Sequence, residues 1–184
     1  LASKPEDCKV TEVVEQELRA ATAAGLDAFH FYYPNVDHKG FMNEYNQIIL
    51  AFFRVGARKY PDFKFTLCLS NSTTGSETQQ VSRFVDSICV LLEGTKKLDG
   101  WLKTPDGRYV FYLWNNDGMA GLMNNKPWEI NQFPERLAEV AKVHNDLAEG
   151  LKIPIAYMYD IRFPENKKLV NEVMKHFPGI WSWT

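Results

Sequence analysis

The sequence predicts an α/β fold of parallel strands, and three observations carry that prediction. Short apolar and aromatic runs alternate with long amphipathic stretches from one end of the chain to the other. Glycine and proline punctuate the joins, and each short run suits a buried strand better than a helix. Strict β-α alternation then implies parallel strands linked by right-handed crossovers. Five such strands in 184 residues fit either a complete open doubly wound sheet or an incomplete (β/α)8 barrel, since whole barrels take ~250 residues. The chain opens on a helix and stops inside a strand, as a section of a barrel would, and no linker or low-complexity run divides it. Residues 1–184 are therefore read as a single, partial domain.

Residues 10–24 form a helix with Val10, Val13, Val14, Leu18 and Ala21 on one face and Gly25 as its stop. The first strand, 26–33, runs through Ala28-Phe29-His30-Phe31-Tyr32-Tyr33 to Pro34. Phe41, Tyr45, Ile48, Ile49, Phe52 and Phe53 mark the next helix, which ends before Pro61. Residues 63–70 alternate and form the second strand. In it Phe63, Phe65, Leu67 and Leu69 face the helices, leaving Thr66, Cys68 and Ser70 on the other face. Val81, Phe84, Val85, Ile88, Cys89 and Leu92 mark the third helix. A Pro105-Asp106-Gly107 turn leads into the third strand, Tyr109 to Trp114, and a long loop follows as a candidate binding loop. The fourth helix starts near Phe133-Pro134 and turns Leu137, Val140, Ala141, His144 and Leu147 inward. The fourth strand is Ile153 to Tyr159, ending in Asp160. A fifth helix carries Leu169, Val173 and Phe177, and Gly179 to Trp183 opens the fifth strand.

Composition removes several functional classes. A net charge of −2 gives no basic footprint for nucleic acid or anionic membranes, and no apolar run is long enough to span a bilayer. No signal-peptide pattern opens the sequence, although Leu1 is no initiator, so a processed or cut terminus leaves secretion open. Three cysteines cannot all pair with one another; Cys68 and Cys89 read as small buried hydrophobes, and Cys8 has no supporting residues for a reactive role. The four histidines are scattered without metal-ligand spacing, so no metal is expected. Nothing in the sequence sets the oligomeric state.

In either architecture ligands gather at the carboxyl ends of the strands. Those ends hold Tyr32, Tyr33 and Asn35; Ser70 and Asn71; Trp114, Asn115, Asn116 and Asp117; Tyr159 and Asp160; Trp181 and Trp183. The set is aromatic, amide and carboxylate. It has no lysine and no glycine-rich phosphate cradle, so no nucleotide cofactor is expected. Aromatic faces beside amides and acids suit a neutral polyhydroxylated ligand, whose C–H edges lie on rings and whose hydroxyls bond to Asn and Asp. The candidate substrate-binding residues are accordingly Tyr32, Tyr33, Asn71, Trp114, Asn115, Asp117, Asp160 and Trp183, with Asp160 the best single acid.

Plainer roles compete with these. His30 on an apolar strand reads as a satisfied core histidine. Asp27 follows a helix stop and suits backbone hydrogen bonding at the bottom of the strand. Asp117 precedes Gly118 and suits a turn, and Asn71-Ser72-Thr73 matches a glycosylation acceptor by chance of letters.

Gly25-Leu26-Asp27-Ala28-Phe29, followed by Phe31-Tyr32-Tyr33, resembles the second-strand signature of glycoside hydrolase families 71 and 99. Phe65 to Asn71 is similar to their third strand, and Leu102-Lys103 through Asp106-Gly107-Arg108 to Tyr112 resembles the approach to their fourth. Gly179 to Trp183 resembles the family 71 sixth strand. These families are (β/α)8 barrels that cleave α-linked glucans or mannans, generally outside the cytoplasm or in secretory compartments. The resemblance implies that this chain supplies strands two to six. It also implies that the catalytic carboxylates, on a later Trp-Asn-Glu-Trp or Trp-Asn-Asp-Tyr type of motif, lie after Thr184. Trp114-Asn115-Asn116-Asp117 imitates that motif but follows the wrong strand, so no catalytic role is carried onto it.

Overall fold

The computed structural model describes residues 5–36, 38–70, 76–114, 136–161 and 165–182. Among the described residues five helices alternate with five strands: α1 (Pro5–Ala23), β1 (Ala28–Pro34), α2 (Lys39–Lys59), β2 (Lys64–Ser70), α3 (Glu77–Thr95), β3 (Tyr109–Trp114), α4 (Leu137–Leu151), β4 (Ile155–Asp160), α5 (Lys167–His176) and β5 (Gly179–Trp181). The strands form one sheet in the order β1-β2-β3-β4-β5, every pair parallel. A doubly wound sheet reverses its strand order and carries helices on both faces. Here the order is sequential, and each helix packs on the next along one face: α1 on α2, α2 on α3, α3 on α4 and α4 on α5. Among the described residues no helix is long and apolar enough to cross a membrane.

The ends of these elements follow from local chemistry. Gly25 ends α1 with φ +81°, a left-handed conformation that a side chain would strain. His38 caps α2 by accepting the Phe41 amide, and Ser76 and Gln79 form a reciprocal capping box at α3. Gly56 lets α2 close onto β2: a Cβ there would meet the Phe65 ring at 2.7 Å.

Between helices and sheet lies the core. Phe65, Leu67 and Leu69 of β2, Phe111 and Leu113 of β3, and Tyr157 and Tyr159 of β4 pack on Leu18, Ile49, Phe53, Phe84, Ile88 and Leu147. Strand parity is as the alternation predicts. Helix faces fare less well. On α1 the inward residues are Val14, Leu18 and Ala21, while Val10 and Val13 are exposed. On α2 the buried stripe runs Met42, Asn46, Ile49, Leu50 and Phe53, leaving Phe41 and Ile48 outside. The stripe is turned because Asn46 is pulled inward, accepting from the Tyr33 hydroxyl at 2.8 Å and donating to the Ser87 carbonyl at 2.9 Å. Cys89 is exposed, contrary to expectation, whereas Cys68 is buried. His144 is buried as expected, its Nδ1 2.7 Å from the Val140 carbonyl oxygen.

Candidate functional site

The face of the sheet away from the helices is strongly curled. On a flat sheet β1 and β5 would stand about 19 Å apart, four strand spacings, beyond the reach of two side chains. Yet the rings of His30 on β1 and Trp181 on β5 lie 5.7 Å apart, centroid to centroid. Tyr112 on β3 meets both edge-on, at 5.3 Å from His30 and 5.3 Å from Trp181. Three alternate strands thus send one ring each to a common level inside a trough.

The register fixes how the levels step. Tyr32 pairs with Cys68, Cys68 with Tyr112, Tyr112 with Met158 and Met158 with Gly179. The rings that meet Tyr112 belong instead to His30, two residues before Tyr32, and Trp181, two residues after Gly179. The level therefore advances by one residue per strand. By that stagger Cys68 of β2 and Asp160 of β4 share the next level toward the strand ends. Tyr32 and Trp114 share the level above, where their ring centroids are 5.4 Å apart. The Tyr32 hydroxyl reaches Ser70 Oγ at 2.8 Å, and the Tyr45 hydroxyl donates to the Tyr32 carbonyl at 2.5 Å.

The polar groups are set by these neighbours. Asp160 is 7% exposed, and its charge is felt across the trough by Cys68. Burial first, then that carboxylate, pushes the Cys68 thiol up to about 12, so the sulfur stays protonated and is no nucleophile. Partial burial lowers the His30 pKa and favours the neutral ring. Trp181 Nε1 donates to the Leu113 carbonyl at 2.9 Å, tying β5 to β3 across β4. Thr66 donates its hydroxyl to the Val110 carbonyl on the same face. Among the described residues no group of three His, Cys, Asp or Glu side chains is placed to hold a metal ion.

Of the candidates read from the sequence, Tyr32 and Trp114 meet ring to ring here, and the register places Asp160 on the same face one level below them. Tyr33 does not. Its side chain points the opposite way, fully buried beneath α2 and α3, stacked 6.4 Å from Phe84 and donating to Asn46. Adjacent strand residues face opposite sides of a sheet, so Tyr32 and Tyr33 cannot both serve one face. For the same reason Asn35 is buried, its amide donating to the Gln80 carbonyl, and the Tyr159 ring packs at a tilt on Phe177. Asn71, Asn115, Asn116, Asp117 and Trp183 lie outside the described residues, as do the long loop and the start of the fourth helix near Phe133. His30 corrects the expectation of a core histidine: it stands on the open face between two aromatic rings. Tyr112 escaped attention because it precedes the strand end, although parity with Trp114 would have found it; Cys68 was placed on this face by parity but read only as a small buried hydrophobe.

A separate hollow of about 250 Å³ lies between α2 and α3, lined by Lys39, Met42, Arg83, Asp86 and Val90 among others. It is on the helix side of the protein. Compared with known proteins, the chain matches no family model, and no curated protein or solved structure is significantly similar to it.

Proposed function

We propose that the chain is five consecutive units of a (β/α)8 barrel that binds and hydrolyses an α-linked polysaccharide of the α-1,3-glucan or α-mannan type. The barrel part is supported by the stagger. One residue per strand around eight strands gives the shear of eight of such barrels, whose interiors are filled by layers drawn from alternate strands. His30, Tyr112 and Trp181 make three members of one such layer. In an eight-stranded barrel strands four apart stand opposite each other, as β1 and β5 do.

The observation that carries the function is the contact of Tyr32 with Ser70 and Trp114 at the carboxyl ends of the strands, with Asp160 one level below on the same face by register. Flat rings offer stacking area for sugar C–H edges, and the hydroxyl and carboxylate offer directional hydrogen bonds. The resemblance to glycoside hydrolase families 71 and 99 points to the same substrate class, and to a protein working outside the cytoplasm or in a secretory compartment. Hydrolysis needs two carboxyl groups flanking the scissile bond. Among the described residues of this face Asp160 is the only carboxylate, so we assign it to orienting sugar hydroxyls and place the acid and base elsewhere in the protein. That single carboxylate also favours a second reading, a barrel that binds glycan without cleaving it.

Incubating the full-length protein with α-1,3-glucan and α-mannan oligosaccharides separates these readings. New reducing ends identify the hydrolase, and binding without turnover identifies the glycan-binding barrel. Failure to bind either sugar rejects both.

A further inference from the structure

We propose that Tyr45 of α2 is a positioning residue for the sugar site, acting through Tyr32. The inference rests on the glycan reading above and adds to its site a residue that does not itself need to touch the sugar.

The strand β1 is held from two sides. Its odd-numbered residues bond to β2: the Asp27 carbonyl accepts from the Lys64 amide at 2.9 Å, and the Asn35 amide donates to the Ser70 carbonyl at 3.0 Å. Backbone groups alternate sides along a strand, so the Tyr32 carbonyl points away from β2, toward the outer edge of the sheet. There the Tyr45 hydroxyl donates to it at 2.5 Å. Pro34, the next residue to face that edge, has no N–H. Tyr45 thus anchors the carboxyl end of β1 on the side that β2 does not hold.

The anchor is itself fixed. Its ring stacks on Phe41 at 5.9 Å with planes 20° apart, and lies 6.1 Å from the Tyr33 ring. Burial, then the nearness of Tyr32, raises the Tyr45 pKa, so the hydroxyl keeps the proton it donates. Asn46, the next residue of α2, accepts from the Tyr33 hydroxyl. Consecutive residues of α2 therefore hold consecutive residues of β1, each 13 positions back. The two bonds divide the work. Asn46 is tied to a ring that faces the helices, whereas Tyr45 is tied to the backbone that carries the open-face ring. That ring stands 5.4 Å from Trp114 and its hydroxyl meets Ser70 Oγ, so its place depends on where β1 ends. A site side chain left without such support loses the geometry its contacts need.

Calorimetric titration of the full-length protein with α-1,3-glucan and α-mannan oligosaccharides tests this in a double-mutant cycle of Tyr45→Phe and Tyr32→Ala. Tyr45→Phe keeps the ring and deletes the donor, and is expected to weaken binding about fivefold. In the Tyr32→Ala background no ring is left to place, and the same change is expected to alter affinity by less than about twofold. A residue that merely supports the fold loses the same affinity in both backgrounds. Additive losses therefore overturn the assignment, as does wild-type affinity in Tyr45→Phe or a failure of that variant to fold. Each of these leaves the glycan reading standing. Wild-type affinity in Tyr32→Ala removes Tyr32 from the site and Tyr45 with it. Should Tyr32→Ala fail to fold, Tyr32→Leu closes the cycle in its place. Binding of neither sugar by the wild type removes both the assignment and the reading beneath it.

Discussion

Alternate residues of the same strands build two surfaces of opposite chemistry. Toward the helices, Phe65, Leu67, Leu69, Phe111 and Leu113 have no exposure and belong to the apolar core. Toward the open side stand His30, Tyr112 and Trp181 in mutual ring contact, Tyr32 against Trp114, and Cys68 and Asp160. Tyr32 and Tyr33 make the comparison sharpest. The two share a side chain and a peptide bond, yet Tyr33 is 0% exposed and Tyr32 47%. The buried hydroxyl is held protonated, chiefly by desolvation, and spends its hydrogen on Asn46. The open one pairs with Ser70 beside Trp114. Residue type offers a chemistry; parity decides whether it serves packing or a ligand.

Breaking that comparison starts with the largest effect. Phe65→Ala removes a ring packed 4.8 Å from Phe53 and 5.9 Å from Phe31 and should cost about 3–5 kcal/mol, read as a lower urea midpoint at unchanged slope. Tyr112→Ala, on the same sheet but the other face, should cost less than half of that and weaken sugar binding instead. Equal stability losses would mean that the open face is simply core.

The next effect comes from a buried group away from the trough. Burial pushes the His144 pKa down to about 4, partly opposed by the bond to Val140, and among the described residues its Nε2 has no hydrogen-bond partner. Between pH 6.5 and about 4 the unfolded chain binds a proton that the folded protein refuses, so stability falls as pH falls through that window. The loss is on the order of 3 kcal/mol, complete near the folded pKa and absent above the unfolded one. His30 is shifted in the same direction and adds a smaller loss of the same sign, since it is half-exposed. Chemical denaturation across pH should therefore show a steep acid limb that His144→Leu flattens and that His30→Gln changes far less.

Much of the fold was legible because its signals are local. Period-two alternation in Phe65 to Ser70, Gly25 after α1 and the Pro105–Gly107 turn each state a backbone preference within a few residues. What stayed hidden depends on distant partners. The α2 stripe turned because a strand tyrosine and a carbonyl on α3 claim Asn46, and no helical period encodes that. His30 read as core because its strand is apolar; only the curl of the sheet brings Tyr112 and Trp181 to it from far along the chain. The candidate site was half legible for the same reason. Strand ends were found, but Tyr33 was kept beside Tyr32 as a candidate although alternation along β1 sends adjacent residues to opposite faces.

Tyr33→Phe sharpens the comparison at a single atom. Removing the hydroxyl leaves the buried Asn46 Oδ1 without its donor, and should cost about 1–3 kcal/mol of stability with sugar affinity unchanged. A loss of affinity with stability intact would return Tyr33 to the site, against its position under the helices.

The smallest expected effect tests whether the open face is one joined surface. Trp181 does two things: its ring packs on His30 and Tyr112, and its Nε1–H reaches past β4 to the Leu113 carbonyl. The β3–β4 pairing extends to Tyr112 and Met158, so Leu113 sits at the edge of that ladder and its carbonyl takes the indole proton. Trp181→Phe keeps an aromatic ring and deletes the donor, which should cost about 1 kcal/mol. Amide exchange in β5, a strand of only three residues, should quicken more than in β2, which is paired on both sides. Sugar affinity should fall modestly, because the level beneath Asp160 loses its anchor while its rings remain. Trp181→Ala removes ring and donor together and should lower affinity further. If both variants leave β5 exchange and affinity as in the wild type, the ring contacts across the trough do not hold the face together, and the two faces differ in exposure alone.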